Sequence, residues 1–181
     1  SDPYIKLYNE YFGGGMNAIV FQEMREARGL AYSASGRLLE PEYKDDSYKY
    51  FAFIATQNDK MQTAIEAFDE IINDMPVSET AFNIAKEALT TKYRTERITG
   101  RNILRSYQNA RDMGITEPRS KKIYEKLPEL TLEDVKNTQE KWVKDRTYCY
   151  GILGDIKNLD TDYLKTLGTV EVLTLEDIFG Y

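Results

Sequence analysis

The chain is 181 residues long, 41% hydrophobic and 30% charged, which allows a sizeable core and excludes disorder. Its formal net charge is -6 and its pI about 4.9, so it has no general attraction to nucleic acid or anionic lipid. It has no histidine and a single cysteine, Cys149, which excludes an internal disulfide and the usual histidine-based nucleophile pairs, and no apolar run approaches the ~20 residues of a membrane span.

In chain order, the first predicted helix runs from Asp2 to Phe12, with Asp2 as its cap, Pro3 at the first helical position and Gly13-Gly14-Gly15 ending it. A chain that opens directly on a helix start is expected to begin within a longer protein. A second helix is predicted over Met16–Arg28, with Ile19 or Val20, Met24 and Ala27 on one face and Gly29 as its stop. Two strands follow, Ala31–Leu39 and Tyr48–Gln57. The first has Tyr32, Ala34, Gly36 and Leu38 at period two, and the short polar connection predicts an antiparallel hairpin. Met61, Ala64, Ile65, Phe68, Ile71, Ile72 and Met75 then mark a helix with one buried stripe, capped by Asn58 or Asp59.

Ser78 caps the next helix, which is expected to reach about Thr99, with Gly100 breaking the run before a further helix through Met113. Arg119–Leu127 is a shorter helix, and Thr131-Leu132-Glu133-Asp134 opens another in a capping-box arrangement. Thr147–Leu153 reads as a nearly continuous apolar strand, expected at the centre of the sheet, with Cys149 as an inert buried thiol. Gly154-Asp155 turns the chain, a short helix covers Thr161–Leu167, and Val170–Leu173 forms a last strand. Grouped strands followed by grouped helices predict an α+β, two-layer domain spanning 1–181, with a mostly antiparallel sheet covered by several helices.

Arg25 and Tyr32 are the first candidates for chemistry. They lie seven positions apart, with Gly29 permitting a sharp turn between helix and strand. A guanidinium and a phenol aimed at one point could hold peptide carbonyls and stabilise an oxyanion. The plainer reading is a helix-end salt bridge and a strand Tyr packed on the core. Gly13-Gly14-Gly15 follows a helix rather than a strand, and no P-loop Lys comes after it. This excludes a nucleotide cradle and leaves a loop at a cavity or a plain turn. Arg94, Arg97, Arg101 and Arg105 would form one basic stripe if the helix continued through Gly100. That stripe is either a solvated face or an attractor of acidic substrate segments. No zinc set of His and Cys and no calcium-loop pattern is present.

The run from Tyr11 to Tyr32, with Gly13-Gly14-Gly15, Arg25-Glu26 and Gly29-Leu30-Ala31-Tyr32, resembles the second half-domain of the insulinase/pitrilysin-type zinc metallopeptidases, the inverzincins. The likeness is dense over residues 8–36 and loose afterwards, where Tyr150-Gly151-Ile152-Leu153-Gly154-Asp155 and Glu176-Asp177-Ile178-Phe179-Gly180 agree with it. One departure is Asn17-Ala18-Ile19-Val20, where relatives often place a small residue and then Ser-Arg-Leu.

The resemblance implies a mitochondrial-processing-peptidase-like half-domain, whose first strand or strands are expected upstream of Asp2. It implies that Arg25 and Tyr32 bind the peptide substrate, with Gly13, Gly14 and Gly15 as a possible cavity loop. The H-x-x-E-H motif of catalysis cannot occur in a chain without histidine. Zinc is therefore expected in an N-terminal catalytic half-domain or partner subunit, and this chain is expected to be inactive alone. The competing readings are a non-catalytic partner or structural subunit of the same family, and an unrelated α+β binding module.

Overall fold

The computed structural model describes residues 2–41, 43, 45–97 and 99–180, with the side chains of Arg101 and Arg119 outside the described set. Helix α1 (Pro3–Gly13) is the hub. Asp2 caps it by accepting a hydrogen bond from the Tyr4 amide at 2.9 Å, and Ile5, Leu7, Tyr8, Tyr11 and Phe12 are buried. With so much of its surface apolar, α1 packs against the sheet on one side and against α4 (Glu79–Thr95) and α7 (Leu132–Trp142) on the others.

The sheet is a hairpin of β1 (Ser33–Leu39) and β2 (Lys49–Ala55), antiparallel, in register from Ser33 opposite Ala55 to Leu39 opposite Lys49. Ala34, Gly36 and Leu38 face inward, and the Asn9 side chain accepts from the Leu38 amide and donates to its carbonyl. Gly13 meets β1 backbone to backbone: a Cβ at position 13 would lie 2.1 Å from the Gly36 carbonyl oxygen. At position 36 a Cβ would meet the Tyr50 hydroxyl of β2 at 2.5 Å and the Phe12 ring of α1 at 3.1 Å, so two glycines let helix and sheet close on each other.

The remaining helices are α2 (Ile19–Phe21), continued by a π-helical segment Gln22–Ala27, α3 (Met61–Asn73), α5 (Arg101–Asp112), α6 (Arg119–Lys126), α8 (Thr161–Leu167) and α9 (Leu175–Phe179). The α3 stripe is buried from Met61 to Ile72, with Met75 half-buried beyond it. Neither Asn58 nor Asp59 caps α3, because a 3-10 turn over Asn58–Lys60 leads directly into it. Ser78 caps α4 through the Ala81 amide at 3.1 Å, and α4 stops at Thr95 rather than Thr99.

The capping box of α7 is complete, with the Thr131 amide donating to Asp134 Oδ2 at 2.8 Å and the Asp134 amide donating to Thr131 Oγ1 at 3.3 Å. Thr131→Ala is expected to lower stability by about 1 kcal/mol, read as a shift in the urea midpoint at unchanged slope.

The fold is α+β as expected, but the sheet is smaller than predicted. Among the described residues neither Thr147–Leu153 nor Val170–Leu173 joins a ladder. Thr147–Leu153 lies on the surface, anchored by alternate tyrosines: the Tyr148 ring sits 5.8 Å from that of Tyr50, and the Tyr150 hydroxyl donates to Asp69 Oδ2 at 2.9 Å. That alternation turns Cys149 outward, so the thiol expected to be buried is exposed. The basic stripe is also broken. Gly100 adopts φ +39 between α4 and α5, Arg97 donates to the carbonyls of Arg94 and Glu96, and the Arg101 side chain lies outside the described residues. Among the described residues no helix is long and apolar enough to cross a membrane.

Candidate functional site

The predicted helix over Met16–Arg28 is mostly not α-helical. After one turn of α2 the chain widens into the π segment, where the Arg28 amide donates to the Glu23 carbonyl at 3.1 Å. Such segments are rare and are frequent at functional sites. The widening changes the buried face: Ile19, Val20 and Met24 are buried, whereas Ala27 is exposed. Gly29 at φ +58 ends the segment, in a conformation glycine adopts without steric cost. The amides of Leu30 and Ala31 both donate to the Met24 carbonyl, at 2.8 and 3.1 Å, and the Tyr32 amide reaches the Ala55 carbonyl at 2.7 Å.

This turn brings Arg25 and Tyr32 together. The Arg25 Cζ lies 5.0 Å from the Phe21 ring centroid and 5.7 Å from that of Tyr32. Each contact contributes about 0.5–1 kcal/mol at an exposed site, enough to restrain a long side chain. The Arg25 Nε stands 3.7 Å from Glu26 Oε1, a loose pairing that leaves guanidinium donors open. Tyr32 is 82% exposed, departing from the inward period-two pattern because β1 begins only at Ser33. Its hydroxyl makes no hydrogen bond among the described residues.

Arg28, three positions on, has a different job. Its guanidinium forks onto Glu70 of α3 at 2.8 and 3.2 Å, and its Nε lies 3.6 Å from Glu23. The hydrogen bond to Glu70 raises the Arg28 pKa further and holds the Glu70 carboxyl below the usual range. Lys60 adds a bond to the Gly29 carbonyl at 3.2 Å and Thr56 one to the Leu30 carbonyl at 2.6 Å. The turn carrying Arg25 is therefore tied to α3 and to the end of the hairpin. Reasoning from sequence missed both Phe21 and the Arg28 clamp. The Phe21–Arg25 spacing of four was a usable signal, whereas Glu70, 42 positions beyond Arg28, gave none.

The three glycines divide. Gly13 and Gly14 sit where a Cβ would strike backbone, within 2.1 Å of Gly36 and 2.6 Å of Glu10, while Gly15 faces open space. The chain's donor set does not fit a zinc ion. It has no histidine, and no group of three or more Cys, Asp or Glu converges among the described residues.

Residues 3–89 of the chain match the family described as peptidase M16 inactive domain. Among solved structures it is similar to a crystal structure of a peptidase M16 inactive domain from Pseudomonas fluorescens, at TM-score 0.57 and 20% identity. That match covers 77% of this chain and 33% of the other, so the chain spans about a third of that structure. No curated protein matches.

Proposed function

We propose that this chain is the peptide-holding, C-terminal half of a zinc-dependent endopeptidase, and that an N-terminal half-domain or partner subunit supplies the metal. The observation that carries the reading is the meeting of Arg25 and Tyr32 on one exposed surface, with the guanidinium 5.7 Å from the phenol ring. Arg25 would donate forked hydrogen bonds to peptide carbonyls or a substrate carboxylate. The Tyr32 hydroxyl, free of other partners among the described residues, would donate to the oxyanion of a tetrahedral intermediate. Zinc in the other half would supply the activated water. The substrate class is an extended peptide or an unfolded segment.

The test is peptide hydrolysis by the longer protein or reconstituted pair, with Arg25→Ala and Tyr32→Phe introduced separately. Each is expected to lower kcat/KM about 10-fold or more, while thermal stability is unchanged in Tyr32→Phe, which keeps the ring, and falls by no more than about 1–2 kcal/mol in Arg25→Ala, which gives up its two ring contacts. Unchanged kinetics in both variants would remove the assignment. If the assembled protein hydrolyses no peptide at all, the chain is instead a structural or partner subunit.

A further inference from the structure

Helix α5 stands apart from the core. None of its described side chains is buried, and its apolar stripe of Ile103, Leu104 and Tyr107 faces solvent, with Leu104 74% exposed. A helix of twelve residues is marginal in water, and its stability comes from packing an amphipathic face. Here even the N-terminal cap is missing, since Gly100 has no side chain to offer. The charges around the stripe are mainly basic: Arg105 and Arg111 on the helix and Arg94 and Arg97 before it, against Glu96 and Asp112.

The opposite composition occurs in the last stretch of the chain. From Thr169 to Gly180 there are three acids, Glu171, Glu176 and Asp177, and no cation. Its apolar side chains are also outside: Val172, Leu173, Leu175 and Ile178 are exposed, Leu175 at 72%. Upstream, the Tyr150–Asp69 hydrogen bond ties the chain leading into this stretch to α3. The molecule thus presents two exposed apolar surfaces of opposite charge, each of the kind that would cover the other.

We propose that α5 of one copy receives the acidic apolar stretch Val170–Ile178 of a second copy. Each copy carries both surfaces, so two identical contacts form together and close a two-fold dimer. The apolar stripes supply the burial, and the arginines facing Glu171 and Glu176 set the pairing.

The test is the mass in solution, by sedimentation equilibrium on the 181-residue chain and three exposed-surface variants whose helical content is checked by circular dichroism. The unaltered chain is expected to be dimeric, and Leu104→Glu to be monomeric. Arg105→Glu/Arg111→Glu and Glu171→Lys/Glu176→Lys should each weaken the dimer about 10-fold or more. An equimolar mixture of the two charge-reversed chains should dimerise again, because both contacts then pair opposite charges, whereas like pairs repel. An unaltered chain that stays monomeric at every concentration overturns the proposal, as does a dimer that ignores the reversals or a mixture that fails to restore it.

Discussion

Gly13→Ala is expected to destabilise the protein by about 3 kcal/mol, which for a chain of this size lowers the melting temperature by about 6–12 °C. Two effects oppose each other at this position. Gly13 is the last residue of α1, and Ala is the better helix former by about 1 kcal/mol, so propensity alone predicts a gain. Against that, the new Cβ would stand 2.1 Å from the Gly36 oxygen and 2.6 Å from its nitrogen, and both are backbone atoms in a strand. A flexible side chain could swing away, but a paired strand can yield only by moving, and α1 would lose its seat on β1. Gly15→Ala is the control, with open space around the added methyl and an expected change within about 0.5 kcal/mol. A stabilised Gly13→Ala variant in urea denaturation would mean that helix and hairpin are not in backbone contact.

Gln139→Ala is the second large effect, expected at about 2–6 kcal/mol. Gln139 is buried in α7 and joins two elements through one amide. Its Oε1 accepts from the Tyr8 hydroxyl of α1 at 2.5 Å, and its Nε2 donates to the Ile72 carbonyl at the end of α3. Burial pushes the Tyr8 phenol well above its ordinary range, so it remains a protonated donor. Removing the amide leaves a hydroxyl and a carbonyl unsatisfied in the interior, each at about 1–3 kcal/mol. Tyr8→Phe removes one of those orphaned groups in advance. The double variant Tyr8→Phe/Gln139→Ala should therefore lose less than the sum of the single losses, and the coupling is read from a double-mutant cycle in urea. Strict additivity would mean that the two side chains do not act as a pair.

The parts of the fold that were legible in the sequence are those written locally. Asp2, Ser78 and the Thr131–Asp134 box act as caps within a few residues of themselves, and the α3 stripe repeats within one helix. The hairpin was legible for the same reason, since two β-rich runs with a short connection can pair with each other. Thr147–Leu153 has the composition of a strand, but a strand also needs a neighbour's free edge, and composition does not carry that information. Its aromatics were claimed instead by Tyr50 and Asp69, 98 and 81 positions away.

At the site, spacing and family likeness pointed to Arg25 and Tyr32, and the structure brings the two side chains into contact. What spacing could not reveal was how they meet. Ile19 or Val20, Met24 and Ala27 fit an ordinary α-helical face, and only the chain's path shows that Ala27 has left it.

A π segment can be regarded as an α-helix with a surplus residue that the chain has absorbed by bulging instead of lengthening. The span Gln22–Ala27 therefore behaves as a length setting. Taking out one residue would let the helix relax to ordinary winding, a change that helix energetics favour. Everything on one side of the deletion would then rotate by about 100° relative to the other. Phe21 and Tyr32 would no longer share Arg25 between them, although no contact residue had been altered. In this chain the position of the guanidinium is set by a residue count as much as by residue identity, so an insertion or deletion here would be more disruptive than most substitutions.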